Sequence, residues 1–597
     1  MTYNSLDSQY TKLVKLLRSE RNDGGFWSGE LSSSALATAV SIVACKINGE
    51  VSDDIFVVKG LAWLLKYQNS DGGFGDTPGS MSNVSTSLLS FAALTYCCDG
   101  SKAAKGALIE IENYLSHRNI DLKGTDITTS ILSFYGNDFT FSVPILSMLV
   151  ICGVLSDKAV IKIPQLPFEL TLFPASWYST FNLRVVSYAI PALIAVGIFT
   201  FKTRKRHNPV MRWIRNRSIK PALKKLEQIV PKSGGFLEAI PLTAFVAMCL
   251  ICSGYKDSPV VGEGLTFLRN QQRPDGSWPI DTDLSTWVTT LSIKALGPKM
   301  REEFSDQEID RLVTHLLTIQ YKDIHPFNLA QPGGWGWTNF PGSVPDVDDT
   351  AGALIALLDC NRFNTDVTNA IINGCNWLIT LQNKDGGFPT FCKGWGKLPF
   401  DSSCADLTGH ALLALTKSLE MTGDQMAVEL QNSIKGCIAR SFGFLWKAQN
   451  ENGSWLPLWF GNQNTREQKN PVYGTAKVSI YLNDSIICSC IDDNLKKNIG
   501  IMLSNARRYL LNQQNEDGSW GAELGVQGTI EESALAICAL ADINKPVCQK
   551  GFEWLDKEYA DNGLRSNPIG LYFAMLWYDE KLFPLIYYIE ALRRKLE

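Results

Sequence analysis

The sequence predicts an all-α protein of two α/α toroid (barrel) domains, and three observations predict it. One motif recurs along the chain: a small residue, an aromatic–aliphatic pair three positions on, then Gln, Gly and an aromatic at fixed spacing. The segments after each copy are rich in small apolar residues. Finally, 45% of the 597 residues are hydrophobic and only 19% charged, where about 25% charged is ordinary. Helices that are apolar nearly all round account for such a deficit, because they are buried on every side.

The complete copies run Gly60, Trp63, Leu64, Gln68, Gly72, Phe74; Gly264, Phe267, Leu268, Gln272, Gly276, Trp278; Gly374, Trp377, Leu378, Gln382, Gly386, Phe388; Ser441, Phe444, Leu445, Gln449, Gly453, Trp455; and Ala506, Tyr509, Leu510, Gln514, Gly518, Trp520. Asn22 to Trp27 reads as a degenerate first copy. Gln320 with Gly334 and Trp335 reads as one stretched by an inserted loop. In the later copies the step is about 65 residues, which fits two helices with their connections. Within a copy, Leu61, Leu64 and Leu65 recur at i, i+3, i+4, and Asn-Ser-Asp-Gly-Gly then breaks the helix where Gly can take a positive φ. The Gln amide is placed to bond backbone groups left open at the helix end, with the aromatic stacked over it. SALATAVSIVACKI and STSLLSFAALTYCC read as inner helices and the motif helices as outer ones. Length alone suggests about three or four domains. One repeat building both toroids reduces these to two, residues 1–265 and 266–597, the first carrying a membrane-contact segment and the second an acidic motif.

With 56 basic and 60 acidic residues the net charge is −4, which excludes nucleic-acid binding through bulk charge and a disordered chain. The balance is uneven. Ten Lys or Arg and no acid lie between Lys202 and Lys225. Fifteen cysteines follow no framework spacing, so reduced thiols and a cytosolic compartment are expected. The N-terminus shows no signal peptide. The most apolar stretches, Val143 to Leu155 and Ala189 to Phe201, are shorter than the ~20 residues of a transmembrane helix. Ala189 to Phe201, followed by the basic run with Trp213 inside it, suits a monotopic membrane contact through Arg204, Lys205, Arg206 and Trp213.

Gly333 to Ala351, GGWGWTNFPGSVPDVDDTA, crowds Asp346, Asp348 and Asp349 before an apolar helix. Acids at a helix start are commonly caps. Here Trp335, Trp337 and Phe340 precede them, and exclusion of water by aromatics would make the acids share protons, leaving one carboxyl neutral and able to donate. Further on, Asp406 and His410 are i and i+4 on one helix face.

At Asp346 to Ala351 (Asp-x-Asp-Asp-Thr-Ala), at Asp406-Leu-Thr-Gly-His410, and in the Gln-to-Trp repeats, the chain resembles the squalene–hopene cyclase family, the protonation-initiated (class II) triterpene cyclases. The resemblance covers most of the length. It implies that squalene or a similar linear polyprenoid is cyclised to a hopene-like triterpene without cofactor or metal, an isomerase reaction with a hydro-lyase variant if water ends the cascade. It implies Asp348 as the acid, His410 hydrogen-bonded to it, and Asp346, Asp349 and Asp406 tuning the group. Trp337, Trp287, Phe391, Trp459 and Tyr473 would be the cation-stabilising aromatics, and the protein would sit as a homodimer on the cytoplasmic face of a membrane. Several positions depart from the family pattern: Asn182, Val288, Asn567, Leu571 and the insertion after Trp459. They put the product in doubt more than the initiation. Two other readings stay open: a class II cyclase of a C35 or C20 prenyl substrate, and a non-cyclase toroid related to protein prenyltransferase β-subunits, with Cys404, Asp406 and His410 imitating zinc ligands.

Overall fold

A computed structural model describes residues 3–98, 100–122, 127–135, 139–173, 190–204, 208–391, 401–541, 545–572 and 576–597. The inner helices, numbered in chain order, form two rings. The first contains α1 (Ala35–Asn48), α2 (Val84–Cys97), α3 (Phe139–Ile151), α4 (Ile190–Thr203) and α5 (Ile240–Cys252). Each packs on the next, and α5 returns to α1. The second contains α6 (Ser285–Leu296), α7 (Val347–Cys360), α8 (Ala405–Thr422), α9 (Pro471–Ile486), α10 (Ile530–Leu540) and α11 (Phe583–Leu596), and closes by packing α11 on α6. As their composition requires, α6 and α10 are buried along their entire length. Amphipathic helices such as Asp306–Ile319 and Thr365–Leu381 form the outer layer.

The repeat is a set of tied corners. Gln272 Nε2 donates to Gly276 O at 3.0 Å, holding its own turn, and to Phe56 O at 2.9 Å on the neighbouring outer helix. Gln68, Gln320, Gln382, Gln449 and Gln514 make the same pair of bonds, one within the turn and one to the next repeat. The aromatic adds a bond of its own. Trp278 Nε1 donates to Leu268 O at 2.7 Å, and Trp335, Trp455 and Trp520 repeat this on the last turns of their own helices. Trp27 does so to Leu17 O at 2.7 Å, so the degenerate first copy, which lacks the Gln, keeps the tryptophan tie. Gly276 takes φ +94°, and a Cβ there would lie 2.4 Å from Lys59 O. Gly374 lets the Trp335 ring of the preceding repeat approach, since a Cβ would stand 3.0 Å from it.

Gln382 also donates to Ser441 Oγ and accepts from Arg440 Nε at 2.8 Å. Gln382→Ala orphans two buried carbonyls and is expected to lower the unfolding free energy by about 1–3 kcal/mol, read by chemical denaturation. An unchanged midpoint would show that these ties are ornamental.

The division expected between residues 265 and 266 falls inside Pro259–Gln271, a helix that packs on α5 of the first ring. At the other extreme Tyr3–Ser19 packs on α11 of the second ring, and Trp27 N donates to Thr289 Oγ1 on α6. The rings are joined by a hairpin, Gly570–Tyr572 paired antiparallel with Leu576–Tyr578. From it Trp577 N donates to Asp76 at 2.9 Å and Tyr572 OH to Asp281 at 2.5 Å. The insertion after Trp459 adds Gln463, which bonds Met81 N and Ser80 Oγ of the first ring.

Candidate active site

The acids stand at the start of α7 for a local reason. Asp346 is in extended backbone at φ −134°, its side chain accepts from Asp349 N at 2.8 Å, and this caps the helix. Asp346 N bonds Trp335 O at 3.0 Å, so the recurring corner of the repeat fixes the cap. Asp346 and Asp349 are buried at 3% and 4% exposure. Burial pushes both carboxyls up; hydrogen bonding from Asp349 partly offsets this in Asp346, whereas the charge of Asp346 raises Asp349 further, so the shift is larger in Asp349. Asp346 Oδ2 and Asp349 Oδ1 have no hydrogen-bond partner, an arrangement suited to a shared proton.

Asp348 points elsewhere. Its side chain is 21% exposed, and its Oδ1 lies 2.6 Å from Nδ1 of the buried His410 on α8. Burial pushes the imidazole down, and the Asp348 bond opposes it. The spacing of Asp406 and His410 brings both toward this acid. Asp406 is buried, accepts from the Cys404 thiol at 2.5 Å, and is pushed up to about 6 by burial.

The aromatics fall into two groups. Trp337, Phe391 and Trp459 form a chain of rings, 6.0 Å and 6.5 Å between successive centroids. Trp337 O accepts from Thr286 N, bringing this chain to the start of α6. Trp287 meets His410 edge-on at 6.0 Å. Tyr473 is fully buried, stacked on Phe460 at 4.0 Å with its OH 3.3 Å from Tyr587 OH.

Three residues beside the acid were missed in the sequence. Tyr481 stacks on His410 at 4.7 Å and 10°, and Lys477 and Tyr587 lie next to it. The signal was present: Tyr473, Lys477 and Tyr481 follow at i, i+4, i+8 on one face of α9. Of the departures, Val288 is buried on α6, Asn567 donates N–H and Nδ2 to Glu531, and Leu571 N bonds Trp459 O. Asn182 lies outside the described residues.

The membrane-contact residues separate. α4 is buried and turns no apolar face outward. Arg204 donates to the carbonyls of Val160, Ile161 and Ile163, a structural role. Lys205 and Arg206 lie outside the described residues. Trp213, on Pro209–Ile229, is 59% exposed, with the Arg217 guanidinium 4.6 Å from its ring centroid. No helix among the described residues is long and apolar enough to cross a membrane.

Two closed rings of α/α repeats, with a capped acid cluster and a histidine-bound aspartate among aromatics on the wall of the second, define a terpene cyclase of class II. The chain belongs to the squalene-hopene cyclase family: the model of its C-terminal domain matches residues 285–568 and that of its N-terminal domain residues 11–115. A probable squalene–hopene cyclase of Sinorhizobium fredii is 22% identical over 94% of this chain and 91% of its own. Enfumafungin synthase efuA of Hormonema carpetanum is 26% identical over 51% of this chain. The match spans 24% of that relative's length. Among solved structures, ent-copalyl diphosphate synthase from Arabidopsis thaliana aligns over 93% of this chain and 67% of that one, at 14% identity and a TM-score of 0.46.

Proposed function

We propose that this protein cyclises squalene or a similar linear polyprenoid to a polycyclic triterpene, with Asp348 as the initiating acid. The observation that carries the reading is the contrast within the acid cluster. Asp346 and Asp349 are buried and bound into a helix cap, whereas Asp348 has an open side chain and His410 at 2.6 Å.

In the proposed reaction the Asp348 O–H bond breaks as a C–H bond forms at the terminal alkene. The tertiary cation left behind is attacked by the next double bond, and successive alkenes close the rings. Loss of a proton to a base restores neutrality and makes the reaction an isomerisation; addition of water makes it a hydration. Asp348 must regain its proton before the next turnover. Water would quench the intermediates, so the wall needs π faces rather than bases. Trp337, Phe391, Trp459 and Trp287 supply them near the acid, and Tyr473 further along α9. Asp346, Asp349 and Asp406 surround the acid with carboxyls whose burial favours the protonated form, most of all in Asp349, which limits the repulsion Asp348 meets on ionising. The zinc-dependent reading is disfavoured because, among the described residues, no three His, Cys, Asp or Glu side chains, Cys404, Asp406 and His410 included, are grouped so as to hold a metal ion.

Product analysis by gas chromatography and mass spectrometry tests the reading, using purified protein and detergent-solubilised squalene. A cyclic C30 product is expected. Product only from a C35 or C20 polyprene would reassign the substrate, and product from none would end the cyclase reading.

A hydrocarbon substrate resides in the bilayer, and the proposed docking element is the start of Pro209–Ile229. There Val210, Met211 and Trp213 are exposed among Arg212 and Arg217. Docking on the cytoplasmic face as a homodimer completes the proposal. Flotation with anionic vesicles is expected to recover the wild type, and Met211→Asp/Trp213→Asp to reduce recovery at least about tenfold, since each apolar anchor contributes on the order of 1–2 kcal/mol. Equal recovery would sink the membrane assignment.

A further inference from the structure

The buried charges around the acid are compensated with one exception. Lys294 on α6 pairs with Glu590 on α11 at 2.6 Å, and Arg594 pairs with Glu590 and with Asp484. Lys477, on α9, is 5% exposed, and among the described residues no carboxylate comes within ion-pair distance of it. Its Nζ is surrounded instead by ring faces, 5.7 Å from the Trp287 centroid, 5.2 Å from Tyr481 and 5.5 Å from Tyr587. Trp287 and Tyr481 are the two rings that hold His410. The lysine and the histidine therefore share walls.

An isolated buried ammonium is costly, and three aromatic faces recover only part of that cost, a few kcal/mol at most. A methionine would fill the same space without the penalty. The charge has a use if a negative charge develops close by. Burial, with Lys294 adding repulsion, lowers the ammonium to about 8, so it stays mostly charged at neutral pH. The charged and titratable groups facing it are Lys294 from α6, Asp348 from α7, Asp406 and His410 from α8, Tyr481 from α9, and Glu590 and Tyr587 from α11. Asp348 attracts it, and it in turn disfavours a second proton on His410.

We propose that Lys477 is a positioning residue for the acid: its fixed charge stabilises the carboxylate left when Asp348 gives up its proton and keeps His410 a neutral hydrogen-bond partner. The inference rests on Asp348 being the acid. The proton leaves Asp348 for the alkene, and Lys477 exchanges none.

The test compares wild type, Lys477→Met, Lys477→Gln and Lys477→Arg in kcat, KM and the pH profile of kcat on the polyprenoid that gives product. Removing the positive charge leaves the carboxylate that forms on Asp348 during proton transfer without its stabilising neighbour. Both uncharged variants are therefore expected to lose about tenfold in kcat, to keep KM within about twofold, and to shift the alkaline limb upward by about one pH unit. Arg should restore rate and limb together. A fall in kcat with the limb unmoved would assign Lys477 to packing alone, and so would an Arg variant that folds without rescue. If Lys477→Met fails to fold, Lys477→Gln carries the comparison, and if neither folds while Arg does, the charge serves stability and the proposal is overturned. Retained activity in Asp348→Asn would instead remove the acid assignment itself, whatever the lysine variants do.

Discussion

Replacing Asp348 with Asn is expected to lower cyclisation by about 10³-fold or more, with folding intact. The side chain is at the opening of the cluster and caps nothing, so Asn preserves its shape and its contact with His410 while removing the transferable proton. General acid catalysis is commonly worth about 10²–10⁴ in rate. The upper part of that range applies because an isolated alkene has no other feature through which to react. Asp346→Asn is a contrasting case, since Asn also caps helices and should retain far more activity. The measurement is product formed per hour beside the circular dichroism spectrum of each variant. Comparable activity in Asp348→Asn and wild type would move the acid to another carboxyl.

The second large effect is on stability. Glu590 is buried on α11 and accepts from Lys294 of α6 and Arg594 of its own helix. The two cations hold its carboxyl far below the usual range despite burial. Glu590→Ala leaves Lys294 uncompensated at the seam where the second ring closes, and should cost about 3–5 kcal/mol. Arg594 keeps Asp484, which limits the damage. Thermal unfolding checks this, and a loss under 1 kcal/mol would mean that water or rearrangement rescues the lysine.

Linkage gives the pH dependence. A depressed carboxyl contributes stability above its unfolded value of about 4.3 and loses it as pH falls toward its folded value. Glu531 and Glu580 are raised by burial to about 8 and Glu532 to about 7. Their contribution is complete below about 4.3 and is lost as pH rises through those values. With the two trends opposed, the wild-type midpoint should peak near about pH 4 and decline toward 8, while Glu590→Ala loses chiefly the acid-side fall.

Much of this architecture is legible in the sequence because its cause is local. A Gln, a Gly and a Trp at fixed spacing each perform one task at a corner, and the same three tasks recur even in the stretched copy at Gln320. The Asp346 cap and the Asp406–His410 spacing are equally local. Ring membership is not, because which helix closes on which is decided by packing between segments hundreds of residues apart. That is why Tyr3–Ser19 joins the second ring despite preceding the first. Lys477 escaped for a different reason: a single lysine in an apolar helix ordinarily reads as a solvated face, and only its aromatic enclosure distinguishes it. The apolar run ending at Phe201 misled in the opposite sense. Its hydrophobicity belongs to an inner helix, and the exposed apolar side chains, Val210, Met211 and Trp213, sit one helix later.

The packing of Tyr3–Ser19 on Phe583–Leu596 sets an order of events during synthesis. Tyr3–Ser19 is made before every inner helix and must wait, with its apolar face uncovered, until Phe583–Leu596 has been made. The first ring can close earlier, once Trp278 reaches Gly60, and so can act as a completed floor. The second ring is then finished in one late step, when Phe583–Leu596 packs on both Ser285–Leu296 and Tyr3–Ser19.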